Sequence, residues 1–227
     1  MALRRLNIAR IRGLPSCKRL AGNLEEFGCQ KNHVFGVLEL AASSETVAAT
    51  IVHRSQQNIR CLDTESRKVD TKLIERIAVY PVVLNPSKGI LESYAGTAGG
   101  FDRLQDFLSS ALGLPVVAQR IELDLARALE KLASAVDRFQ LRDVRLPNYS
   151  LSSYVVGSLS ACFTDTEHGL DFVQKHSDSL AGATVRYQAS SGRVSLRLSA
   201  EACFAYACKE EDDLNVRSLL RKLVFSR

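Results

Sequence analysis

Apolar side chains recur at every second position over 183–187 and 194–198, which puts Ala183, Val185, Tyr187, Val194, Leu196 and Leu198 on one face of a hairpin. Thr184, Arg186, Gln188, Arg193, Ser195 and Arg197 hold the other. A period of two is the mark of a strand with one buried face, and the intervening Ser-Ser-Gly makes the segment a hairpin. The same reading predicts a first strand over 5–12, carrying Leu6, Ile8 and Ile11, and further strands over 34–41 and 47–54. Helical spacing predicts a helix over 17–27, with Cys17, Leu20, Leu24 and Phe27 on one side and Gly28 as its stop. A short polar helix is expected over 66–76. A hairpin follows over 77–95, turned at Asn85, Pro86 and Gly89, then a helix whose stripe is Phe101, Leu104, Phe107, Leu108, Ala111 and Leu112.

The pattern then restarts. A strand over 116–123 precedes a helix over 125–136; strands over 139–146 and 153–163 are separated by Pro147 and Asn148; a helix starting at Thr166 leads into the opening hairpin. A terminal helix over 213–224 has Asp and Glu at its start and Arg and Lys later, as a helix dipole favours. Even positions from Val194 to Cys208 stay apolar without a break, so this region reads either as one long strand or as a strand followed by a Ser199-capped helix.

These elements define an α+β class: two tandem split-βαβ, ferredoxin-like units, each βαββαββα, with a mostly antiparallel sheet and helices on one face. The halves are 1–113 and 114–227, joined at Gly113, Leu114 and Pro115, and the short join permits one continuous sheet. Local echoes, CLDTE at 61–65 and CFTDTE at 162–167, support a duplication.

Composition narrows the function. No apolar run approaches the roughly 18 residues a membrane helix requires. A formal charge of +5 permits contact with polyanions without demanding it. Six cysteines, at 17, 29, 61, 162, 203 and 208, lack zinc or redox spacing and read as free thiols packed as small hydrophobes, which points to a reducing intracellular compartment. The N-terminus has six basic residues and no acid before Glu25; this resembles a mitochondrial presequence, although Leu6, Ile8 and Ile11 fit a first strand better, so cytoplasm or nucleus is favoured over the mitochondrial matrix.

Catalytic motifs are missing: GxSxG, HExxH and the phosphate-loop pattern do not occur. His33 and His53 fall at strand ends, and His168 and His176 lie eight apart on a helix, wider than a metal pair. Asp63 with Glu65 and Asp165 with Glu167 stand where helix N-termini are expected and read as caps. The glycine cluster at 95–104 reads as chain geometry rather than a phosphate cradle. No cofactor, metal or small-molecule substrate is indicated.

The leading expectation is therefore a non-catalytic binding or scaffold subunit of a multi-protein assembly, contacting nucleic acid non-specifically through Arg186, Arg193 and Arg197, with Lys88 at the equivalent turn of the first half. The alternative is a nucleic-acid-processing enzyme on the same scaffold, with His33 or His53 as acid or base. Ile77–Leu84, apolar on both faces, is expected to be either a buried central strand or an interface.

Overall fold

The computed structural model describes residues 3–28, 34–62, 64, 67, 69–94, 99–152 and 155–225. The chain is mixed α+β, and its strands pair mainly antiparallel. It divides into two compact units: residues 10–119, and residues 1–9 with 120–227.

The first unit begins in β1 (Arg4–Arg12), whose residues from Arg10 onward belong to it, followed by α1 (Cys17–Glu26), β2 (Phe35–Ala42), β3 (Val47–Leu62), β4 (Val69–Asn85), β5 (Ile90–Ser93) and α2 (Gly99–Leu112). Its strand order is β2–β3–β4–β5–β1. The helix α1 buries Leu20 and Leu24, and α2 buries all six residues of its predicted stripe. Phe27 meets Phe107 edge-on at 5.8 Å.

Of the polar helix expected over 66–76, residues 69–76 are instead strand, and 66 and 68 lie outside the described residues. β3 and β4 pair continuously from Val47↔Leu84 to Leu62↔Val69, so CLDTE precedes no helix, while Asp63 and Glu65 lie outside the described residues. Val69, Thr71, Ile74 and Ile77 are β-branched, and a full-length partner strand outweighs the weak helical preference of the segment. The hairpin is not buried throughout. Tyr80, Val82 and Leu84 face the core, whereas Ile77 is 54% and Val79 48% exposed. The β4–β5 turn is held by Asn85, whose Oδ1 accepts from the Lys88 backbone and the Ser87 hydroxyl, each at 2.9 Å. Gly89 turns there at φ +62°, and its carbonyl accepts from Ile11 at 2.8 Å.

The second unit uses Arg4–Ala9 of β1, then α3 (Leu125–Ala135), β7 (Asp137–Ser152), β8 (Val155–Cys162), α4 (Thr166–Lys175), β9 (Gly182–Gln188), β10 (Arg193–Ser199), β11 (Cys203–Ala207) and α5 (Asp213–Phe225); β6 (Val117–Arg120), shorter than expected, has only Arg120 in this unit. The order is β1–β11–β10–β9–β7–β8. Pro147 and Asn148 do not separate two strands; β7 runs through them with a register shift between Leu146 and Tyr149, as proline in a sheet requires.

The stretch 199–208 follows neither expected path. β10 ends at Ser199, the chain reverses through Ala202 at φ +50°, and β11 returns antiparallel. Parity survives the reversal: Leu196, Leu198, Phe204 and Tyr206 all remain buried. Leu125, Leu129 and Leu132 of α3, Val173 of α4, and Val216, Leu220 and Leu223 of α5 are buried against the inward side of this sheet.

Candidate nucleic-acid interface

The β9–β10 hairpin keeps its sequence parity in three dimensions. Val185, Tyr187, Val194, Leu196 and Leu198 are buried, while Arg186, Arg193 and Arg197 are exposed. Ser195 pairs with Arg186, so Arg193 and Arg197 stand two residues to either side of its cross-strand partner. Diagonal neighbours of this kind lie roughly 7–8 Å apart, within reach of long side chains. The three arginine positions therefore form one triangle on the open side.

Register extends that triangle into a field. Arg197 pairs with Ala205, which pairs with Arg5 of β1; on the other side Thr184 pairs with Asp143, and Arg145 with Gly182. Arg5, Arg142 and Arg145 are all exposed. Asp143 accepts from the Thr184 hydroxyl at 3.0 Å, and Asp137 stands at the end of the face opposite Gln188. A depression of about 300 Å³ brings Arg142 and Arg186 together with Asp143, Cys162, Phe163 and Thr184. The rings of Tyr187, Phe204 and Tyr206 point into the core, and Phe163 is the aromatic residue that lines the depression. This face can donate charge-assisted hydrogen bonds to anionic oxygens, and β9 and β11 keep Tyr187, Phe204 and Tyr206 on the other side of the sheet.

The acidic run before α5 shapes the scaffold beneath. Asp212, 1% exposed, accepts from the Ser190 hydroxyl at 2.8 Å, from the Ser191 backbone and from the Ser191 hydroxyl, pinning the hairpin tip. Those serine bonds hold its carboxyl below the usual range. Asp213 accepts from Arg4 at 2.6 Å, Tyr206 at 2.8 Å and Arg217. Burial raises the Asp213 pKa, but the bonds from Arg4 and Tyr206 and the Arg217 charge outweigh it, leaving a net lowering. Burial pushes Tyr206 up to about 12. Two residues of a run read as a dipole feature, both themselves buried, thus have specific side-chain partners.

The remaining candidates are dispersed. Lys88 is exposed in the β4–β5 turn of the first unit, whereas the three arginines belong to the second. His33 lies outside the described residues, as do 95–98 of the glycine cluster. His53 stacks on Phe35 at 4.8 Å, its Nδ1 is buried without a partner, and burial, then the Arg103 charge, lower its pKa. Asp165 caps α4 through the His168 N–H at 2.9 Å and also meets its ring at 2.8 Å. His176 packs on Phe172 and Tyr149 at the other end of that helix. The described cysteines are free, but Cys208 alone of them is buried; Cys162 is exposed, and Cys17, Cys61 and Cys203 are half-buried.

Arg5 and Arg145 were not singled out in the sequence. The parity of Leu6 and Ile8 in β1, and of Val144 in β7, carried the signal, but the strand pairing needed to align them is non-local. Among the described residues no helix is long and apolar enough to cross a membrane. In comparison with known proteins, the chain matches no family model and shows no significant similarity to a curated protein.

Proposed function

We propose that this chain is a non-catalytic binding subunit of a multi-protein assembly, and that its second unit contacts a nucleic-acid backbone without sequence preference through the open face of its sheet. The carrying observation is the Arg186, Arg193, Arg197 triangle, extended by register toward Arg5 and Arg145 and joined to Arg142 by the shared depression. Guanidinium groups suit phosphate oxygens, and inward-facing aromatics favour backbone contact over base reading. The finer architectural reading, a ferredoxin-like duplication, belongs to the same proposal; the chain order α3–β7–β8–α4–β9 of the second unit is what supports it, while β6 pairs with β1 and not with these strands. Acid–base chemistry at His53, the alternative reading, gains no support from a half-buried ring whose Nδ1 has no partner.

The test is binding of a single-stranded oligonucleotide across a salt series, with Arg186, Arg193 and Arg197 all changed to Gln. Affinity of the unmodified protein should fall steeply with salt, and the triple variant should show a log–log slope shallower by about 2. No binding at low salt, or an unchanged slope in the variant, would reject the proposal.

A further inference from the structure

The β3–β4 hairpin outruns its neighbours. β2 and the Val34 carbonyl before it reach no further along β3 than Arg54, and β5 with Tyr94 reaches β4 over Pro81–Asn85, so beyond these positions the hairpin is a two-stranded ribbon among the described residues. Its outer edge along β4 has a definite polarity. The Pro81 carbonyl accepts from Tyr94 on the β5 side, whereas the Arg76 carbonyl is approached by Ser55 of β3. With a period of two, the N–H and C=O groups of Val69, Thr71, Leu73, Glu75, Ile77 and Val79 all point to the edge away from β3. No described strand lies there before the β5 pairing begins. The same residues carry exposed apolar side chains on one face: Val69 and Leu73, both 61% exposed, with Ile77 and Val79.

We propose that this edge pairs antiparallel with the same edge of a second copy, with Leu73 on the two-fold axis, forming a four-stranded ribbon. The sequence along the edge favours that register over those centred on Lys72 and Ile74. Centring on Leu73 sets Leu73 against itself, Val69 against Ile77 and Thr71 against Glu75, all of them residues whose backbone groups point outward. It also brings positions 70 and 76, Asp and Arg in the sequence, opposite each other twice. The neighbouring registers fail on charge. Centring on Lys72 faces that lysine with itself and sets Val69 against Glu75; centring on Ile74 opposes Lys72 to Arg76 and Leu73 to Glu75. Like charges directly opposite destabilise a sheet, whereas opposite charges and apolar pairs stabilise it. A self-complementary patch is what a two-fold interface demands. An exposed apolar strand edge is otherwise a liability that folded proteins cover. The contact is small beside specific interfaces of about 1,200 Å² or more, so association in the micromolar range is expected.

The experiment is sedimentation velocity on the full chain, stripped of nucleic acid so that no polyanion bridges copies, from about 5 to about 200 µM. The mass should rise with concentration toward twice 25.0 kDa. Thr71→Pro removes an outward N–H while leaving the β3 side intact, and Leu73→Lys places two ammonium groups at the axis. Each should weaken association at least about tenfold with the far-ultraviolet spectrum unchanged. Asp70→Arg and Arg76→Asp should each weaken it, and their combination should restore it. Val156→Lys, on an exposed site of the second unit, should leave it unaltered. A chain that stays monomeric throughout overturns the proposal, and so does self-association indifferent to Thr71→Pro and Leu73→Lys.

Discussion

Two hairpins of similar sequence character behave oppositely. β9–β10 is flanked by β7 on one side and β11 on the other, and its apolar parity goes entirely inside. The outer half of β3–β4 has no such flanks among the described residues, and its apolar residues on β4 remain in solvent. Alternation therefore identifies a strand, but lateral neighbours and a covering helix decide whether its apolar face is core or surface. The charges follow suit. Arginines on the supported hairpin gather on one open face, whereas on the ribbon Arg54 and Arg60 are spread along β3 and Arg76 stands between Glu75 and Ile77.

The sharpest way to break this comparison is truncation on each side. Leu196→Ala removes a fully buried side chain and should destabilise the second unit by about 2–5 kcal/mol in urea unfolding, whereas Leu73→Ala should stay within about 0.5 kcal/mol. Equal losses would show that the ribbon is packed after all. Next in size, Asp213→Ala leaves Arg4, Arg217 and the Tyr206 hydroxyl without their shared acceptor and should cost about 2 kcal/mol at pH 7. Because the folded Asp213 pKa is depressed, its contribution is present above the ordinary carboxylate range and is lost as pH falls through the folded value. The wild-type and Asp213→Ala stabilities should thus converge in acid; a constant gap down to pH 2 would contradict the ion pair.

The smallest effect concerns His53. Its folded pKa is depressed by burial and by Arg103, so the unfolded chain takes up a proton near the ordinary value of 6.5 while the folded ring resists. Stability of the first unit should therefore fall as pH drops through 6.5, and His53→Phe should flatten that slope. An unchanged pH profile in the variant would place the titration elsewhere.

Much of this contrast was legible residue by residue, and what failed did so for identifiable reasons. The stripes of α1 and α2 and the parity of β9 and β10 depend on local spacing, which the chain states outright. Val69, Leu73 and Ile77 recur every four positions, a spacing that suits one face of a helix and one face of a strand alike, and the partner that decides between them begins at Val47. The reversal at Ala200–Ala202 carries no glycine, proline or asparagine, and a left-handed alanine gives no warning in sequence. At the candidate site Arg186, Arg193 and Arg197 were visible from one hairpin, but Arg5 joins them through β11 and could be placed only by register across four strands.

The claim that the supported hairpin bears the binding face is tested most directly by following arginine Nε–Hε resonances while a single-stranded oligonucleotide is added at low salt. Signals of Arg186, Arg193 and Arg197 should shift together, accompanied by Arg142 and Arg145, with Arg54, Arg60 and Arg76 on the ribbon unmoved. Shifts confined to the ribbon arginines, or none at saturating oligonucleotide, would contradict it.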